Sequence, residues 1–203
     1  NINGLIMNVE QIYKDAQALL EGHFKLSSGN HSKFYLQSAK VLEDPKTAKV
    51  LAVALAEQIK KSGIKVDAAC SPELRGLIAG FALPTPLDVR FIVSERAEGE
   101  MVIRRGFEVK EGENYIICED IITTGGSALE AAKQVENAGG NIVAYAALAN
   151  RGFCSRVGST IEPKDNCKLP LDKPLFALED FAFEMYSPDD CPMCKEGSVA
   201  YKP

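Results

Sequence analysis

Between Tyr115 and Ala132 the chain reads YIICEDIITTGGSALEAA, and this stretch constrains the fold more than any other. An apolar run of strand length meets two adjacent acids, Glu119 and Asp120. It then passes Thr123, Thr124, Gly125, Gly126 and Ser127 and continues with Ala128, Ala131, Ala132, Val135 and Ala138 at helical spacing, closed by Gly139-Gly140. A buried strand turning through glycine into a helix is one arm of a βαβ unit, and the flanking sequence repeats the theme. VDAAC (66–70), VRFIV (89–93), NYIIC (114–118) and NIVAYAAL (141–148) predict core strands. A helix is expected over 74–82, with the turn residues Pro84 and Pro86 after it. Asp44 and Pro45 supply an N-cap and a first-turn proline for a helix that runs to about Lys61 and stops at Gly63. Short apolar strands alternating with helices imply an α/β fold: a mainly parallel central sheet flanked by helices.

The two ends are less regular. Val9, Ile12, Ala16, Leu19 and Leu20 recur at helical spacing and predict an amphipathic helix ending near Gly22, followed by an extended segment over 34–38. From about 152 to 203 the chain is rich in Pro, Asp and Lys, with one strand expected at LFAL (175–178), and reads as an annex to the core. There is no repeat, low-complexity tract or linker to divide the chain, so residues 7–203 are expected to form a single domain. The six residues before Met7 read as an extension without function.

Composition excludes several classes. With 203 residues, 46% of them hydrophobic and 25% charged, the chain is ordinary for a globular domain. A fold of this size buries roughly 70% of its unfolded-chain surface and needs neither disulfide nor metal to build a core. The net charge of −5, from 23 Lys+Arg against 28 Asp+Glu, is wrong for a surface that tracks nucleic-acid phosphates and leaves room only for a local basic patch. The apolar runs at 50–56 and 142–149 fall far short of the roughly 20 residues of a membrane span. The N-terminus has no basic segment leading into an apolar one. A reducing, cytoplasmic setting is expected, with neither nucleic acid nor membrane as partner.

The strand–loop–helix stretch also carries chemistry. In open α/β sheets ligands bind beyond the carboxyl ends of strands. Gly125 and Gly126 let several backbone N–H groups converge, the following helix adds its positive end, and Thr123, Thr124 and Ser127 add hydroxyls: a cradle for a phosphate dianion. The lysine of G-x-x-x-x-G-K-[ST] and the G-x-G-x-x-G pattern are both missing. Two carboxylates beside a phosphate would repel it unless they grip sugar hydroxyls or stabilise a cationic transition state. A ribose 5-phosphate with a leaving group at C1 satisfies every element. Each residue singly also fits a plain helix cap; it is the joint pattern that points to the ligand.

CEDIITTGGS resembles the phosphoribosyl-diphosphate motif of type I phosphoribosyltransferases, and EGHFKLSSGNHSKFYLQSAKVLEDP (21–45) with SPELRGLIAG (71–80) resembles the orotate branch of that family. The likeness spans most of Met7 to Tyr186. It implies a central sheet with a small annex built from the N- and C-terminal segments and a mobile lid loop. It also implies transfer of phosphoribosyl from Mg²⁺-bound phosphoribosyl diphosphate to orotate, giving orotidine 5′-monophosphate for UMP synthesis, by a homodimer whose lids reach the neighbouring sites. By the same resemblance Glu119, Asp120, Ile121, Ile122, Thr123, Thr124, Gly125, Gly126 and Ser127 hold the ribose and its 5′-phosphate, with Glu119 and Asp120 catalytic. Thr123 also touches orotate, Arg151 pairs with the orotate carboxylate, Arg75 lies near the diphosphate, and Tyr35 and Leu36 frame the pyrimidine. Mg²⁺ is held mainly by the substrate diphosphate.

The chain departs from that pattern at two places. Ser27 stands where many relatives carry lysine, and the family's lid with two lysines and a histidine is here SERAEGEMVIRRGF (94–107). Arg96 is the choice for the catalytic diphosphate contact, within a lid over 94–106. Arg104 and Arg105 fit equally well as partners of Glu98, Glu100 or Glu108 on a solvated hairpin. A purine phosphoribosyltransferase would lack the 21–45 segment and have no carboxylate for Arg151. A phosphoribosyl-diphosphate-sensing regulator would need a basic DNA-binding domain for which the chain has no room.

His23 and His31 are the only histidines, and no motif spacing links them to a metal set, so surface or hydrogen-bonded roles are expected; His31 is also near the substrate-framing segment. Cys70 and Cys118 read as small core residues. Cys191-x-x-Cys194 is half of a zinc knuckle. Completing it would take Cys154 and Cys167 or a partner chain, and a disulfide or free thiols remain open alternatives.

Overall fold

The computed structural model describes residues 7–26, 29–73 and 76–203. Along the chain these form α1 (Val9–Asp15), β1 (Leu19–Lys25), β2 (His31–Leu36), α2 (Ser38–Leu42), α3 (Pro45–Lys61), β3 (Ala68–Pro72), α4 (Gly76–Ala82), α5 (Pro84–Leu87) and β4 (Arg90–Ala97). There follow β5 (Glu100–Ile103), β6 (Asn114–Ile122), α6 (Gly126–Asn137), β7 (Asn141–Asn150), β8 (Leu175–Asp180), β9 (Met185–Tyr186) and α7 (Pro192–Lys195). They fall into two compact units, Asn1–Glu43 with Ala182–Pro203, and Asp44–Phe181.

The larger unit is the α/β fold the sequence predicts. Its six-stranded sheet has the order β5-β4-β3-β6-β7-β8. Every neighbouring pair is parallel except β4/β5, which closes as an antiparallel hairpin. β3 is buried along its whole length and β6 along nearly all of its length, which is why they read as continuous apolar runs. The Asp44-Pro45 signal starts α3: the Asp44 carboxylate accepts from the Lys46 and Thr47 amides, both at 3.2 Å, and from the Thr47 hydroxyl at 2.5 Å. Helix α6 buries Ala128, Ala131, Ala132 and Val135 in one cluster with Tyr115 and Ile117 of β6 and Tyr145 and Ala147 of β7. Three alanines in that stripe let helix and sheet approach closely, so packing contact rather than large side chains holds this face.

The smaller unit is built on an antiparallel sheet, β1-β2-β9. Here the structure corrects the expected N-terminal helix. α1 ends at Asp15, Gln17 adopts φ +52°, and the Ala18 amide donates to Tyr13 O at 2.7 Å. Leu19 and Leu20 then pair with Leu36 and Tyr35 as strand residues. Their helical spacing is overridden because cross-strand partners are available, which local periodicity does not report. The C-terminal expectation also changes. LFAL lies in β8, an edge strand of the main sheet paired with β7, so 152–181 belongs to the larger unit and only 182–203 joins the N-terminal segment.

Candidate active site

In the larger unit β3 is followed in sequence by β4 on one side of it, while its other neighbour is β6. This reversal of winding is where open α/β sheets bind ligands. β3 and β6 pair only as far as Cys70 and Ile117. Ser71 Oγ donates to Cys118 O at 2.8 Å just beyond, and the strands then run on unpaired with each other, opening a crevice at their carboxyl ends. Glu119 and Asp120 stand there. They lie on the strand itself, which runs past the expected 114–118 because pairing with β7 continues through Glu119–Ala147 and Ile121–Ala149 to Ile122–Asn150. Both are 9% exposed. Asp120 Oδ1 accepts from the Ile121 amide at 2.8 Å, and a Cβ on Gly76 at the start of α4 would lie 2.9 Å from Glu119 Oε2.

Beyond β6 the chain turns on Gly125, whose φ of +81° is the left-handed conformation that glycine adopts without strain. A Cβ there would also fall 2.5 Å from Leu169 Cγ and Cδ2. Gly125 caps α6 without a side-chain hydrogen bond. The first-turn amides therefore have no side-chain cap, the arrangement in which a helix N-terminus can receive an anion. Thr123 and Ser127 are exposed and Thr124 and Gly126 half-buried, so the hydroxyl groups face accessible space.

Sequence reasoning missed what supports this loop. Lys168 N donates to Thr124 O at 2.7 Å, and its Nζ lies 3.7 Å from where a Gly126 Cβ would be, which brings a cation to the cradle. Cys154 and Cys167 form a disulfide, and Cys154 Sγ rests 3.7 Å from Thr124 O. A disulfide sulfur has no proton, so that contact is packing. Lys168 is some forty positions from the loop, and no local signal in the sequence could have assigned it.

Arg151, directly after β7, is 5% exposed. Its amide donates to Ile122 O at 2.8 Å and its Nε to Phe181 O at 3.1 Å, fixing it beside the end of β6 that leads into Thr123. The 94–106 segment is a two-residue hairpin with positive φ at Glu98 (+51°) and Gly99 (+91°), the signature of a type I′ turn. Within it Arg96 donates to Gly99 O at 2.7 Å and pairs with Glu130 of α6. Arg104 and Arg105 do not pair with Glu98, Glu100 or Glu108. Both converge on Glu95, whose side chain is 8% exposed and which, without a cation, would be a costly buried charge.

Arg75 lies outside the described residues, as does Ser27. Tyr35 and Leu36 are in β2 of the smaller unit; Leu36 is buried and the half-buried Tyr35 ring lies 5.7 Å from that of Phe24. Burial pushes the Cys70 thiol up to about 12 and raises that of Cys118 too, which suits inert core residues.

Residues 59–185 match the phosphoribosyl transferase domain family. The chain is 68% identical over 197 residues to the orotate phosphoribosyltransferase of Sulfurimonas denitrificans, covering 97% of this chain and 98% of that protein. The chain belongs to the orotate phosphoribosyltransferase family. Its fold is shared more widely. The orotate phosphoribosyltransferase of Aeropyrum pernix superposes with a TM-score of 0.66 at 19% identity, over 85% of this chain and 93% of that one. The adenine phosphoribosyltransferase of Thermoanaerobacter pseudethanolicus gives 0.65 at 22% identity, over 86% and 100%. An orotate phosphoribosyltransferase thus cannot be told from a purine enzyme by its sheet, and the distinction rests on side chains.

Proposed function

We propose that this protein transfers the 5-phosphoribosyl group of phosphoribosyl diphosphate to orotate, releasing diphosphate and orotidine 5′-monophosphate in pyrimidine synthesis. The observation that carries the reading is the β6–α6 cradle at the winding reversal, with two buried acids on its strand and Arg151 on the next. The amides of the Gly125 turn, the Thr123, Thr124 and Ser127 hydroxyls and Lys168 receive the 5′-phosphate. Glu119 and Asp120 face the ribose. As the C1–O bond to diphosphate breaks, both of its electrons leave with the diphosphate and the ring gains oxocarbenium character. The two carboxylates stabilise that charge in a site already shielded from water. The N1 lone pair of orotate then forms the new C1–N bond, and the N1 proton passes to the departing diphosphate or to solvent. Arg151, anchored through Nε, orients orotate by its carboxylate, and Thr123 contacts the ring.

Mg²⁺ is the cofactor. The ion would be held mainly by oxygens of the substrate diphosphate and by water, as suits a hard cation, and would neutralise charge on the leaving group, leaving Glu119 and Asp120 for the ribose. The β4–β5 hairpin is the lid. Release of Arg96 from Glu130, an exchange between exposed partners that costs little, frees it for the diphosphate. The protein works as a cytoplasmic homodimer; among the described residues no helix is long and apolar enough to cross a membrane.

Loss of orotate absorbance on adding phosphoribosyl diphosphate and Mg²⁺, with adenine, hypoxanthine and uracil as competitors, tests the reading. Orotate is expected to be consumed only with the divalent cation. No consumption, or faster use of a purine, refutes it.

A further inference from the structure

Four side chains of the smaller unit, remote from one another in sequence and without a part in phosphoribosyl transfer, converge at one point. His23 lies in β1, His31 opens β2, Cys191 caps α7 and Cys194 lies within it. One ligand atom from each lies within 4.8 Å of the other three. His23 Nε2 is 3.0 Å from His31 Nδ1, 3.4 Å from Cys191 Sγ and 3.7 Å from Cys194 Sγ, and Cys194 Sγ is 3.3 Å from His31 Nδ1. Four-coordinate zinc with Zn–N near 2.05 Å and Zn–S near 2.3 Å requires N···N of about 3.3 Å, N···S of about 3.6 Å and S···S of about 3.8 Å. The one N···N and three N···S separations above match these edges within a few tenths of an ångström, and the two remaining pairs lie within 4.8 Å.

Hydrogen bonding alone explains the cluster poorly. His23 Nε2 faces three partners, yet a neutral ring nitrogen has either one N–H or one lone pair, so at most one of those contacts is a good hydrogen bond. A cation at the centre satisfies all four groups at once. The outer contact agrees: His23 Nδ1 is 3.0 Å from Ser198 Oγ, and donation there fixes the tautomer that turns the Nε2 lone pair inward.

The backbone is shaped for the same end. The β1/β2 register slips between Glu21 and Phe24, placing a bulge at Gly22-His23, and bulges re-aim side chains. In the CPMC turn the Lys195 amide donates to Cys191 O at 3.2 Å and the Gly197 amide to Cys194 O at 3.0 Å, folding the two thiols onto one side. Cys154 and Cys167, one of the completions the sequence left open, are bonded to each other, and two histidines stand beside the CPMC pair instead.

We propose that His23, His31, Cys191 and Cys194 bind one zinc ion that ties the C-terminal segment to the β1–β2 hairpin. Two thiolates and two imidazoles select a borderline-soft ion over Mg²⁺. Cys191 is fully buried and His31 7% exposed, and four protein ligands leave no open position, so the role is structural. The proposal does not depend on the substrate.

Elemental analysis of the full chain purified under thiol reductant is expected to show one zinc per chain. Replacing it with Co²⁺ is expected to produce the intense visible bands of a tetrahedral ion together with thiolate charge transfer. Cys191→Ser/Cys194→Ser and, separately, His23→Gln/His31→Gln are expected to purify without zinc. A folded wild-type protein that carries no zinc and takes up neither Zn²⁺ nor Co²⁺ overturns the proposal, whatever the variants do. Zinc retained at full stoichiometry by the cysteine variant overturns it as well.

Discussion

Gly125→Ala is the sharpest perturbation of the proposed cradle, because two separate costs can be read from the structure. The first is conformational: at φ +81° an alanine carries a penalty of about 1–2 kcal/mol. The second is steric: its Cβ would lie 2.5 Å from two carbons of Leu169, a side chain only 7% exposed. Overpacking of that kind costs about 1–3 kcal/mol. Together they amount to about 2–5 kcal/mol against the native loop. If the loop holds its shape, the whole sum appears as lost stability, at roughly 2–4 °C of Tm per kcal/mol for a chain of this size. If the loop yields, the amides turn away and affinity for phosphoribosyl diphosphate falls, tenfold for each 1.4 kcal/mol. Thermal unfolding combined with calorimetric titration of the diphosphate substrate measures both routes. Trimming the neighbour separates the two costs. In a Leu169→Ala background the steric part disappears and only the φ penalty remains, so the two substitutions should couple by about 1–3 kcal/mol. Unchanged Tm together with unchanged substrate affinity in Gly125→Ala would refute both the packing argument and the assignment of this turn.

Asp120→Asn keeps the shape and removes the charge; kcat is expected to fall by about 10²–10³ with an unchanged circular dichroism spectrum, and an unimpaired kcat would remove Asp120 from the transition state. For Arg151→Ala, kcat/KM for orotate should drop by about 2–5 kcal/mol, and Arg151→Lys should recover only part because the fork geometry is lost. Normal orotate kinetics in the alanine variant would rule out the carboxylate contact. The hydrogen bonds from the Thr47 hydroxyl and from the Lys46 and Thr47 amides hold the Asp44 carboxyl below its ordinary value. Its contribution is therefore fully present above the unfolded pKa of about 3.9 and is lost as pH falls through the lower folded value. The Tm gap between wild type and Asp44→Asn should close at acid pH, and a gap that widens there contradicts the capping role.

The core strands, α3 and α6 were legible because their signals are local: continuous apolar runs for strands buried on both faces, an Asp-Pro cap, and an alanine stripe at helical period. The cradle was legible for the same reason, since Glu119 to Ser127 are contiguous and the turn chemistry is carried by glycines within it. Leu19 and Leu20 misled because their spacing fits a helix until β2 offers them partners; LFAL was legible as a strand, but nothing near it in sequence announces β7 as its neighbour and so its place in the main sheet.

By itself the amino-acid sequence determined the α/β class, the glycine turn into α6 and the two acids on the preceding strand, all properties of short-range pattern. Only the tertiary structure decided which distant groups meet. Winding reversal between β4 and β6 opens the crevice, and Leu169 and Lys168 close under the loop. Glu95 draws in both Arg104 and Arg105, and two histidines rather than two cysteines converge with the CPMC pair. The physical reason is common to all four. A contact between residues far apart in sequence depends on register and packing summed over the whole chain, and no single segment carries that sum.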